Sequence, residues 1–239
     1  MAGASLMFFG FLGFESISMT VDEIKEPQKN VPRGIVLALI IVASLYAVVS
    51  LVLTGVVHYT KLNVDDAVAY ALRYIGVSWA ANYVSVVAIM TLITVCISMA
   101  YALSRMVYSL ARDGFLPQTF QKVSKTHKVP HYATLLTGVL SAISSGIFSL
   151  ANMASLVNIS TLAYLVLLAI ALIILRKDKG LPQKDEFKVP FVPVLPILSI
   201  IVCLSFMSQY SWQTWSAFGI AVLIGSAIYA FYGYKHSKY

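Results

Sequence analysis

From Tyr132 to Leu175 the chain carries no charged residue, and from Val189 to Tyr234 it again carries none. As helix, each stretch extends about 66–69 Å at 1.5 Å per residue, enough for two crossings of a hydrocarbon core roughly 30 Å thick. Small and polar residues interrupt the first stretch near Ser149–Ser155, around Asn152. Gln209-Tyr210-Ser211-Trp212-Gln213 interrupts the second. Gly34–Val57 and Tyr74–Ser104 are also free of charge, and each is long enough for one crossing. A shorter apolar stretch, Ala2–Ile17, carries Glu15. The pattern predicts an all-α membrane protein of about seven transmembrane helices. The expected spans are 3–20 (broken), 34–57, 78–108, 132–149, 154–175, 193–210 and 213–234.

Composition agrees. Of the 239 residues, 59% are apolar and 11% charged, against about a quarter charged in an ordinary soluble domain. This argues against a water-soluble enzyme, a disordered linker and a nucleic-acid-binding module. The net charge of +7 has a membrane explanation, because cytoplasmic loops collect lysine and arginine. All but Lys61 and Arg73 of the 17 lysines and arginines fall in alternate loops. These follow the first, third, fifth and seventh segments. The alternation predicts an exoplasmic N-terminus and a cytoplasmic C-terminus in a multi-pass protein of the cell membrane. Residues 63–74 place Val64, Val68, Ala71 and Leu72 at helical spacing, so a short amphipathic helix is expected on the outer surface.

Several classes of chemistry find no residues here. Cys96 and Cys203 lie inside apolar runs and read neither as a zinc cage nor as a disulfide framework. His58, His127, His131 and His236 stand at loop edges without metal spacing. No nucleophile–base pair and no phosphate-binding loop is present, so neither an enzyme nor a cofactor is expected. The opening segment lacks the signal-peptide pattern, since no basic residue precedes it and Glu15 occupies the cleavage region.

That opening segment departs most from a simple anchor. Phe8-Phe9-Gly10-Phe11-Leu12-Gly13-Phe14-Glu15 sets two glycines three apart before an intramembrane carboxylate. Glycines at this spacing suit close helix packing. They equally permit a helix break, whose carbonyls hold a cation and whose half-helix N-terminus holds an anion. An ionisable side chain inside a span costs about 3 kcal/mol on insertion scales and points to function. Glu15 is a candidate for proton coupling or gating, or for offsetting a helix dipole.

The same residues carry a resemblance. Phe8–Glu15 followed by Glu23-Ile24-Lys25-Glu26-Pro27-Gln28-Lys29-Asn30-Val31-Pro32-Arg33-Gly34 resembles the sixth segment and next loop of amino-acid permeases of the amino acid–polyamine–organocation superfamily. Ser104-Arg105 and Ala111-Arg112-Asp113-Gly114-Phe115-Leu116-Pro117 resemble the end of its eighth segment. Phe187-Lys188-Val189-Pro190-Phe191-Val192-Pro193 resembles the approach to its eleventh, most like bacterial relatives of the cationic amino-acid transporters. The resemblance implies a partial LeuT-type fold covering segments six to twelve, without the first inverted repeat. The missing five-helix half is then expected in cis or in trans.

By resemblance, Phe9, Gly10, Phe11, Leu12 and Gly13 match the unwound stretch that receives a substrate amine, with Phe9 at a gating position. Met99 falls where some relatives place a substrate-lining side chain, near Cys96 and Ser98. Asn158, Thr161 and Tyr164 repeat at i+3 on the helix matching the family's tenth. They line the permeation path or act as interhelical hydrogen-bonded glue. The expected function is amino-acid transport as the C-terminal part of a secondary active permease, by proton symport or exchange with alternating access. Its partners are a neutral or cationic amino acid and the lipid bilayer, with no nucleic acid. The alternative is a transport-inactive truncated fragment or a membrane interaction subunit.

The charge alternation makes a direct prediction. Single cysteines replacing Asp65 or Gln213 will be labelled by an impermeant maleimide added outside intact cells, and those replacing Lys25, Lys122 or Lys184 will not. Labelling at 122 would reverse the orientation.

Overall fold

The computed structural model describes residues 2–14, 17, 24–62, 64, 66–124, 129–180 and 187–237. Glu15, Glu23, Asp65, His127 and Lys184, each named above, lie outside the described residues. Helices follow one another along the chain, and no strand occurs among the described residues. They are α1 (Ala2–Met7), α2 (Pro27–Val56), α3 (Ala67–Tyr74), α4 (Ser78–Arg112), α5 (His131–Ile147), α6 (Leu150–Lys179), α7 (Val194–Met207), α8 (Trp212–Ile228) and α9 (Tyr234–His236). A 3₁₀ stretch, Phe8–Phe11, continues α1, and a π-helical turn, Tyr229–Gly233, joins α8 to α9.

Four helices are long and apolar enough to cross a membrane: Pro27–Val56, Ser78–Arg112, Leu150–Asp178 and Trp212–His236. Helices α5, with 17 residues, and α7, with 14, are shorter. The broken first segment, α1 with Phe8–Phe11, is shorter still. Helix α2 starts at Pro27, well before the charge-free run at Gly34. Lys29 and Arg33 exclude that turn from hydrocarbon but do not oppose a helix, and proline suits a first helical turn. None of its 30 residues is buried, and an all-round apolar helix of this kind reads as a membrane span. Hydroxyls on the apolar helices bond their own backbone. Thr91 donates to Val87 O (2.9 Å), Thr94 to Met90 O (3.0 Å) and Ser98 to Thr94 O (3.0 Å). Such back-bonding keeps a hydroxyl satisfied where water is excluded.

The described chain divides into two units, residues 33–102 and residues 1–32 with 103–239. In the first, Asp66 caps α3 by accepting from Ala69 N–H (3.2 Å), and its other oxygen accepts from Ser85 Oγ (2.8 Å). Such a cap contributes about 1 kcal/mol. Val68, Ala71 and Leu72 of α3 face Val48, Val52 and Val56 of α2 across a cavity of about 250 Å³.

In the second unit α6 packs along α7 and also meets α8. Ile159, Leu162, Cys203 and Met207 form its buried core, with Phe8, Leu156, Val166 and Phe206 against them. Ser149 and Ser211 cap α6 and α8, accepting from Asn152 N–H and Thr214 N–H at 3.4 Å each. Pro190, Pro193 and Pro196, spaced three apart, favour an extended approach to α7, but the approach is not extended. Residues 190–193 turn, with Phe191 at φ +51° and Leu195 N–H bonded to Phe191 O (3.0 Å). The left-handed residue turns the chain where three prolines favour an extended run. Phe187 N–H donates to Gln28 Oε1 (3.2 Å), fastening this loop to the start of α2.

Helix α4 ends in a Schellman motif. Gly114 N–H bonds Ala111 O (3.2 Å), Phe115 N–H bonds Leu110 O (2.9 Å), and Gly114 takes φ +90°. A side chain there meets the backbone of His236 and Ser237 as well as the conformational penalty. Replacing Gly114 with valine should therefore destabilise the protein by at least about 1–3 kcal/mol, read as a lower melting temperature in detergent. Gly219→Val, in open space on α8, is the control expected to melt near the parent temperature.

Candidate functional site

The first segment is broken. The α-helix stops at Met7, and a tighter 3₁₀ stretch carries the chain from Phe8 to Phe11. Leu12 is then extended (φ −62°, ψ 148°), with its N–H on Phe9 O at 3.2 Å. Gly13 follows at φ +113°, a conformation that disfavours any L side chain, and Phe14 is helical again. The two glycines therefore have different roles. Gly10 sits inside the 3₁₀ stretch, whereas Gly13 is the residue at which the chain leaves one helix and starts another. Phe9 and Gly10 are exposed, while Phe11, Leu12 and Gly13 are half-buried.

A polar clamp holds the segment just before the break. Asn158 Nδ2, from α6, donates to Ser5 O (3.2 Å), and Tyr210 Oη, from the turn after α7, donates to the same oxygen (3.0 Å). Ser5 lies in the last turn of α1. Both Ser5 (3% exposed) and Asn158 (0% exposed) are buried. Among the described residues Asn158 Oδ1 has no hydrogen-bond partner. A buried unsatisfied acceptor costs about 1–3 kcal/mol, and one net hydrogen bond returns about 1, so this amide adds little to stability.

The structure separates the stripe Asn158, Thr161 and Tyr164. Asn158 is buried, Thr161 half-buried and Tyr164 46% exposed. Steps of three residues slip by about 60° around a helix, so the stripe drifts off the face that Asn158, Ile159 and Leu162 bury. Asn158 makes the interhelical hydrogen bond, and Ser160 donates to Leu156 O (2.7 Å). Met99 is 44% exposed on α4, in the other unit, and Cys96 is an exposed free thiol. The sequence reading missed Ser5 and Tyr210. Their partners lie 153 and 205 residues away, beyond any local pattern. Among the described residues no group of His, Cys, Asp and Glu is arranged to hold a metal ion.

The geometry sharpens one prediction. In a complete transporter, Gly13→Leu should cut uptake about tenfold or more, because leucine at positive φ costs about 1–3 kcal/mol. Gly10→Leu, inside a helical stretch, should cost less. Surface abundance measured alongside should stay near the parent level. Equal uptake in both variants and the parent would leave close packing as the glycines' role.

The amino acid permease family matches residues 1–228. The chain is 44% identical over 234 residues to the methylthioribose transporter of Bacillus subtilis (strain 168), covering 98% of this chain and 50% of that protein. It is 38% identical over 239 residues to the branched-chain amino acid permease BcaP of the same organism, covering 99% and 51%. It is 33% identical over 175 residues to the vacuolar cationic amino acid transporter 2 of Arabidopsis thaliana, covering 73% and 28%. The chain thus spans about half the length of the first two relatives. These relatives are transporters and permeases rather than enzymes. With its apolar helices and its broken first segment, the chain belongs to the amino acid permease family of the amino acid–polyamine–organocation superfamily.

Proposed function

We propose that this chain forms the C-terminal part of a secondary active transporter that carries a neutral or cationic amino acid by alternating access, through proton symport or exchange. The observation that carries this reading is the break at Leu12–Gly13. Irregular backbone at membrane depth survives only against protein or a wet cavity. In transporters built from repeats, such half-helix ends meet the substrate near the midplane. Phe9, Gly10, Phe11, Leu12 and Gly13 receive the substrate amine, with Phe9 as the gate. Glu15 couples or gates a proton beyond the bend. Met99, Thr161 and Tyr164 line the path in the assembled protein.

The orientation draws support from loops that meet. Gln28 bonds Phe187, and Gly114 lies against His236, so basic loops come together in pairs. On the other side Asn152 and Met153 share a cavity of about 140 Å³ with Ser211 and Gln213. Each pairing joins loops that the charge alternation assigns to one side, the basic ones to the cytoplasm. This supports an exoplasmic N-terminus and a cytoplasmic C-terminus in the cell membrane.

The remaining half of the transporter, a five-helix repeat in cis or in trans, supplies the other wall of the site. Residues 1–239 expressed alone should insert but take up nothing, because alternating access needs one repeat to move against the other. Co-expression with the N-terminal half of the Bacillus subtilis methylthioribose transporter should raise abundance and give saturable uptake. Radiolabelled leucine, lysine and methylthioribose, supplied separately, report the substrate class. Uptake of none of them by a stably assembled pair would favour a transport-inactive fragment or a membrane interaction subunit. Saturable, pH-dependent uptake by residues 1–239 alone in liposomes would show that the chain needs no second half.

A further inference from the structure

We propose that Asn158 and Tyr210 are positioning residues for the bend. Their shared grip on the Ser5 carbonyl fixes the end of α1 against the α6–α7 pair and so sets where the Phe8–Gly13 backbone is presented. The inference rests on the bend being the substrate site.

Three observations carry it. The two donors come from different elements, α6 and the turn after α7, and meet on one oxygen at 3.2 and 3.0 Å. That oxygen is therefore tied to α6 and to the turn after α7 at once. One turn further on, Phe8 packs against the core of Ile159, Leu162, Cys203 and Met207. A polar anchor at residue 5 and an apolar one at residue 8 together prevent rotation of the segment about its own axis. Finally, Asn158 is wholly buried, yet among the described residues its Oδ1 has no partner. The acceptor left unpaired offsets most of what the donated bond contributes to stability, so what the amide supplies is location. The arm before Gly13 then moves with α6 and α7 as one body, and Gly13 takes up the change in direction.

Backbone hydrogen exchange tests this on residues 1–239 in lipid nanodiscs, without reference to transport. Tyr210→Phe and Asn158→Leu should each speed exchange in residues 8–14 about threefold, and the double variant about tenfold or more, with α6 and α7 within about twofold of the parent. Unchanged exchange at 8–14 in the double variant overturns the proposal. So does an equal rise throughout α6 and α7, which would mark a merely structural role. In the complemented transporter, Tyr210→Phe should raise the KM for the transported one of leucine, lysine or methylthioribose about fivefold, with Vmax changed less than about twofold. Asn158→Gln, which keeps an amide donor, should fall between the parent and Asn158→Leu. A fall in Vmax at constant KM would count against positioning. Absence of all uptake by the complemented parent would refute the transport reading, and the exchange result alone would then decide the role of the clamp.

Discussion

A peptide group in hydrocarbon has no water to turn to, so each departure from helix must be supported by protein. This constraint bears hardest on the first segment, where the ladder stops at Met7 and the chain leaves helical register at Leu12 and Gly13. The second unit is organised around its support. Helices α6 and α7 bring a buried amide and a phenol to one carbonyl, and their shared core receives Phe8. Regular helices elsewhere need no such help. Their hydroxyls return to their own turns, as Thr91, Thr94 and Ser98 do.

Much of this fold is legible in the sequence because lipid imposes a coarse rule. Charge-free runs long enough to cross become helices, and interruptions such as Ser149 and Ser211 become caps. The break was legible for the same reason, since glycine is the residue that tolerates what Gly13 does. The end of α4 was also readable, with Gly114 at the cap and Pro117 beyond it.

What escaped the sequence is whatever depends on a distant neighbour. A spacing of three places Asn158, Thr161 and Tyr164 roughly on one side of a helix, but it does not say which of them meets another chain segment. Only Asn158 is buried, because the packed face runs through Ile159 and Leu162. Tyr210 read as part of a loop, with nothing local to tie it to residue 5. The turn at 190–193 escaped for a related reason. Proline spacing restricts the backbone, but the left-handed Phe191 and the hydrogen bond from Leu195 decide its direction.

The clamp also has a consequence in time. Ser5 leaves the ribosome 153 residues before Asn158 and 205 before Tyr210. At about 5–20 residues per second, Tyr210 follows Ser5 by roughly 10–40 s. Until Asn158 follows, roughly 8–30 s after Ser5 at that rate, the opening segment has neither of these two side-chain donors, and until Tyr210 follows it lacks the second. This segment therefore settles only after α6 and α7 have followed it, and the insertion machinery or a chaperone must shelter it until those helices arrive.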